Sequence, residues 1–89
     1  MVSVKRVVLD VLKPHQPNAL EFSRAIAEAG PDYHVSLIVI EMDENTETIQ
    51  VEVQGSAIDF EAIQAVIIAM GGSLHSMDEV EVRNDGDTG

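Results

Sequence analysis

Eighty-nine residues, 45% of them hydrophobic and only 3% aromatic, make one domain with an aliphatic core; a chain this short buries about 60–65% of its unfolded surface, so that core is modest. The absence of cysteine excludes disulfide staples, Cys-ligated zinc, iron–sulfur clusters and a thiol nucleophile. Sixteen acidic residues against five basic give a formal charge of −11, which repels phosphate backbones, and Lys5-Arg6 is the only adjacent basic pair, so nucleic acid is not an expected partner.

Residues 2–13, VSVKRVVLDVLK, are β-branched and largely apolar and predict a strand with both faces partly buried. PHQP breaks it. Asn18 and Glu21 then have capping-box spacing, with Pro17 just before the helix. Phe22, Ala25, Ile26 and Ala29 recur at i, i+3, i+4 and i+7, the apolar stripe of a helix of about three turns. Gly30-Pro31 stops it, with Gly30 expected as a left-handed cap. A second strand runs from Tyr33 to Met42, and DENTE is a polar turn. In TIQVEVQG, Ile49, Val51 and Val53 alternate with Thr48, Gln50, Glu52 and Gln54, giving one covered face and one open face. Asp59 is a natural N-cap for a second helix, whose stripe is Phe60, Ile63, Val66, Ile67 and Met70. Gly71-Gly72 ends it, SLHSMDEVEV forms the fourth strand, and residues 83–89 read as a flexible polar tail on a single domain of residues 1–82.

Strand, helix, strand, strand, helix, strand is the split βαβ order of a ferredoxin-like α+β fold, a four-stranded antiparallel sheet with two helices on one face. Crossover handedness puts the first and third strands in the centre and the second and fourth at the edges. The second strand is apolar on both faces, through Val35, Leu37 and Val39 and through Ile38 and Ile40. A solitary domain with such an edge is aggregation-prone, so the expected partner is the chain itself, as a homo-oligomer. No leader and no apolar run approaching a membrane span is present, so the expected compartment is the cytoplasm and no membrane partner is expected. The acid excess, spread along the whole chain, reads as adaptation to a salty interior, the alternative being a surface that concentrates cations.

The chemistry-bearing residues collect on the open face. With Ile38, Ile40 and Met42 toward the helices, Glu41 and Asp43 join Glu52 there. Asp10 arrives out of phase with Leu9 and Val11, and Asp78 or Glu79 arrives from the fourth strand. Asp10, Glu41, Asp43 and Asp78, with His75 at the margin, are the candidate metal ligands. Such oxygen donors suit a divalent cation such as Ca²⁺ or Mg²⁺. The solvated acidic surface is the plain alternative. DENTE is not an EF-hand loop, since Thr48 stands where glycine is required and Gln54 where glutamate is. Ser76 follows His75 directly, and neighbours on a strand point to opposite faces, so no nucleophile–base pair is expected. No catalytic residue is assigned. The three aromatics sit on helix stripes or at a strand start, and no stacking platform for RNA results.

LDVLKPHQP near the start, VIEMDENTETIQVEVQG in the middle and GGSLHSMDEV near the end occur in that order and together resemble the archaeal family called domain of unknown function 211. The resemblance covers Val4 to Val80. It implies a ferredoxin-like fold, a cytoplasmic archaeal protein and ring-like homo-oligomers larger than a dimer, and no established biochemical activity. The family motifs fall on Asp10, Pro14, His15, Glu41, Asp43, Gly55, His75, Ser76, Asp78 and Glu79. Family members usually continue with a small-residue stretch and a lysine, where this chain has EVRNDGDTG. Three functions follow as expectations: an oligomeric binding or regulatory module that takes a small ligand or divalent cation at its acidic face or subunit junctions, a structural ring without ligand, and a metal-dependent enzyme.

Overall fold

The computed structural model describes residues 1–86. Its elements are β1 (Val2–Pro14), α1 (Ala19–Ala27), β2 (His34–Met42), β3 (Thr46–Gln54), α2 (Phe60–Ala69) and β4 (Ser73–Asn84). The strands form one antiparallel sheet in the order β2-β3-β1-β4, so β1 and β3 are central and β2 and β4 are the edges. This is the ferredoxin-like arrangement that the element order implies. Alternation puts Val7, Leu9 and Val11 of β1 and Ile49, Val51 and Val53 of β3 on one face. There they are fully buried with Phe22 and Ile26 of α1 and Ile63 and Ile67 of α2, a single aliphatic core closed by one phenylalanine.

Both helices start on side-chain caps. Asn18 Oδ1 accepts the Glu21 N–H at 2.9 Å, and Asp59 Oδ1 accepts the Ala62 N–H at 3.1 Å. The helix ends differ from the sequence reading. Among the described residues only Gly71, just after α2, has a positive φ, 86°. Gly30 is not left-handed; α1 closes on Glu28 in the right-handed region. Glycine stands at position 30 for another reason: a Cβ there would collide with the Tyr33 ring. The Tyr33 hydroxyl in turn accepts the Asp59 N–H at 2.7 Å, which ties the start of α2 to the entry of β2.

β4 runs to Asn84, two residues into the segment read as tail, because Ser3 and Val2 of β1 pair with Arg83 and Asn84. Asp85 adds an N–H bond to the Met1 carbonyl at 2.9 Å and a carboxylate contact with Lys5 Nζ at 3.1 Å. The end of the expected tail, residues 87–89, lies outside the described residues.

The ladders are not regular. β1–β4 pairing skips Lys5 on β1 and His75 and Asp78 on β4, and β2–β3 pairing skips Ile40. Each skipped residue is the extra one of a β-bulge, which re-aims its side chain and sharpens the local twist. Ile38 is also not where the sequence reading puts it. It lies opposite Gln50, on the open face, rather than toward the helices. The molecule measures 55 × 22 × 17 Å, with a radius of gyration of 13.6 Å against about 12 Å for a compact domain of this length. The elongation comes from strands longer than the two helices that cover them, and among the described residues no further strand pairs with either sheet edge.

Candidate functional site

The open face is built from alternate residues of four strands. Val8, Asp10 and Leu12 of β1 lie opposite Glu52, Gln50 and Thr48 of β3; Ser36 and Ile38 of β2 flank them on one side, and Glu79 of β4 lies opposite Val8 on the other. A concavity of about 150 Å³ opens there above Val8 and Ile38. Arg6 dominates it. Its Nε donates to Glu52, and its Nη1 lies 2.7 Å from Glu79 Oε1. The hydrogen bond to Glu52, then that to Glu79, raises the Arg6 pKa above its ordinary value. One guanidinium thereby engages two of the face's carboxylates and offsets one of their two negative charges.

The five candidate ligands are placed as follows. Asp10 is on the open face, and His75, swung out by its bulge, brings Nδ1 to 3.2 Å from Asp10 Oδ2. The pair borders a second concavity of about 240 Å³, lined also by Val11, Leu12 and Thr48. Asp78, the next bulged residue, accepts the Ser76 hydroxyl at 2.6 Å. Glu41 is opposite Thr48, brought to that register by the bulge at Ile40. Asp43 stands in the hairpin turn, where its backbone makes the contacts: its N–H donates to the Thr46 carbonyl at 2.8 Å and its own carbonyl accepts from His15. Only Asp10 and His75 meet. Among the described residues, no three His, Asp or Glu side chains gather closely enough to hold a metal ion. A regular β4 would have aimed His75, Asp78 and Glu79 by strict alternation; two bulges in five residues break that alternation.

The best-buried polar cluster lies on the opposite face, and the sequence reading missed it. Lys13, 0% exposed, pairs in register with Glu47. Its Nζ is 3.0 Å from Glu47 Oε1 and 2.8 Å from the Pro14 carbonyl, and sits 5.9 Å from the centre of the Phe22 ring. Glu47 Oε2 is 2.9 Å from His15 Nδ1, and His15 Nε2 is 2.9 Å and 3.0 Å from the carbonyl oxygens of Asp43 and Glu44. The hydrogen bond from His15, followed by that from Lys13, holds the Glu47 carboxyl below its ordinary pKa. Glu47, followed by the Glu44 carbonyl, holds His15 above its own. A sequence signal existed: Lys13 continues the parity of Val7, Leu9 and Val11, and Glu47 that of Ile49, Val51 and Val53. Two opposite charges at the ends of two apolar alternations mark a buried pair.

Fold and site together define a small ferredoxin-like α+β protein whose five Lys and Arg side chains each pair with a carboxylate. The family model for domain of unknown function 211, described as "Uncharacterized ArCR", matches residues 5–85, and the chain belongs to this family. It is 38% identical over 80 residues to the uncharacterized protein MJ0319 of the archaeon Methanocaldococcus jannaschii, an alignment that covers 90% of this chain and 82% of that protein. Among the described residues, no helix is long and apolar enough to cross a membrane.

Proposed function

We propose that this protein is a self-assembling binding module: its copies join edge to edge into a homo-oligomer larger than a dimer, and the open face and subunit junctions take a small ligand or a divalent cation. The observation that carries the reading is the bare apolar edge. Ile38, Ile40 and Met42 of β2 are 54%, 60% and 63% exposed, on a strand with no partner on its outer side among the described residues. Water penalises such an edge, and a neighbouring chain relieves it. Fully covering one large aliphatic side chain contributes about 1.5–3 kcal/mol, against an association cost of about 4–15 kcal/mol, so apolar groups from both partners are needed. The other edge supplies them: Met77, Val80 and Val82 of β4 are exposed too. Joining β2 of one copy to β4 of the next is heterologous and leaves a free edge at each end until a ring closes. The two bulges on β4 make it a poor template for backbone pairing, so side chains carry this contact. The formal charge of −11 fits a salt-rich cytoplasm, where screening limits repulsion between copies.

Asp10 and His75 are the ligand-binding part of the reading. One copy offers two donors beside a cavity, whereas Ca²⁺ takes six to eight oxygens, so water or a neighbouring copy completes the set. A structural ring without ligand is the second reading, favoured by the scatter of the other three candidate carboxylates. Calorimetric titration with Ca²⁺ at constant ionic strength separates the two. Saturable heat that disappears in Asp10→Asn supports the binding module; featureless heat, or heat indifferent to that change, leaves the scaffold.

A further inference from the structure

We infer that Lys13, His15 and Glu47 form a protonation-controlled clamp on the tip of the β2–β3 hairpin, closed while His15 is an imidazolium and released when it is neutral. Both ring nitrogens of His15 face oxygen atoms. Nδ1 meets a carboxylate oxygen of Glu47, and Nε2 meets two backbone carbonyl oxygens, of Asp43 and Glu44. All three are acceptors. A neutral imidazole has a single N–H, so one of its nitrogens would turn a lone pair toward an oxygen. With both nitrogens protonated, every contact runs from donor to acceptor.

The surroundings fix the proton's place. Lys13 Nζ, which only donates, holds the other oxygen of Glu47 at 3.0 Å and so keeps the carboxylate an acceptor. The groups packed around the ring and its partner are Lys13 and the Pro14 carbonyl from β1, Glu47 from β3, and the turn carbonyls of Asp43 and Glu44; Phe22 of α1 lies beyond Lys13. Lys13 is the one cation among them, and it is engaged by Glu47. The upward pull on the His15 pKa agrees with this geometry. Loss of the proton removes the His15 bridge between Glu47 and the turn carbonyls of Asp43 and Glu44, so the turn is held to β1 only through the β1–β3 ladder. The inference rests on the fold of one chain and needs no second copy.

Nuclear magnetic resonance tests it on the intact chain. The His15 ring nitrogens are titrated between about pH 5.5 and 8.5, and amide exchange of Asp43, whose N–H closes the turn onto the Thr46 carbonyl, is followed over the same range after division by the intrinsic rate. His15 is expected to carry two N–H protons at the acid end and to titrate above its ordinary value of 6.5. Protection of the Asp43 amide is expected to fall through the same midpoint, about tenfold for each pH unit separating the folded from the ordinary pKa. In His15→Ala the protection is expected to be low and constant with pH; if that variant does not fold, His15→Gln, which has no proton to lose, is expected to show constant protection. A neutral tautomer at the acid end, a midpoint at or below the ordinary value, or a pH dependence that survives in the variant would overturn the clamp.

Discussion

Removing the Glu47 carboxylate leaves the Lys13 ammonium buried without a counter-charge. Glu47→Ala is therefore expected to cost about 3–5 kcal/mol in denaturant unfolding. The double change Lys13→Met with Glu47→Leu removes both charges and keeps the volume, and is expected to be far milder, because the desolvation cost leaves with the pair. The pH dependence follows from the two shifts. The folded pKa of His15 lies above 6.5, so its contribution is complete below that value and is lost as pH rises through the folded pKa. The folded pKa of Glu47 lies below 4.5, so its contribution is present above that value and is lost as pH falls through the folded pKa. The melting temperature lost on changing His15 to Ala is expected to be largest between roughly pH 4.5 and 6.5 and to shrink as pH rises beyond the folded His15 value.

Along β2, neighbouring residues have opposite fates. Leu37 is half-buried against the core, opposite Val51. Leu37→Glu is expected to unfold the subunit, seen as lost helical dichroism at every concentration. Ile40, bulged outward, is exposed, so Ile40→Glu is expected to keep the subunit folded and to change only its association. The elements themselves were legible in the sequence, because the β-branched apolar run of β1, the period-two alternation in β3 and the period-3.6 stripes in α1 and α2 each mark an element. The edge positions of β2 and β4 were legible through connection handedness. The bulges were not: Lys5, Ile40, His75 and Asp78 carry no local mark of a skipped pairing, and one skipped residue reverses which face the rest of a strand presents. That is why five candidate ligands reduce to one contact, between Asp10 and His75. At Gly30 the structure differs because a glycine after a helix signals a left-handed cap unless a neighbouring ring, here that of Tyr33 three residues on, claims its space. Lys13 and Glu47 escaped because each looks like an exposed charge until the parity of its strand is counted.

For the whole molecule, the proposed assembly couples to charge. In the proposed assembly each added copy would bring a formal −11, so closing a ring would accumulate repulsion that salt relieves. The melting temperature is expected to rise with KCl, and a flat or falling dependence would contradict the salt-rich reading. The assembly itself is tested most directly by light scattering after size exclusion in concentrated KCl, at micromolar chain concentration, on the native protein and on Ile40→Glu. The native chain is expected at several times the mass of one copy, and Ile40→Glu at the mass of one copy with unchanged dichroism. A native protein that elutes at the mass of one copy would contradict assembly through the β2 edge.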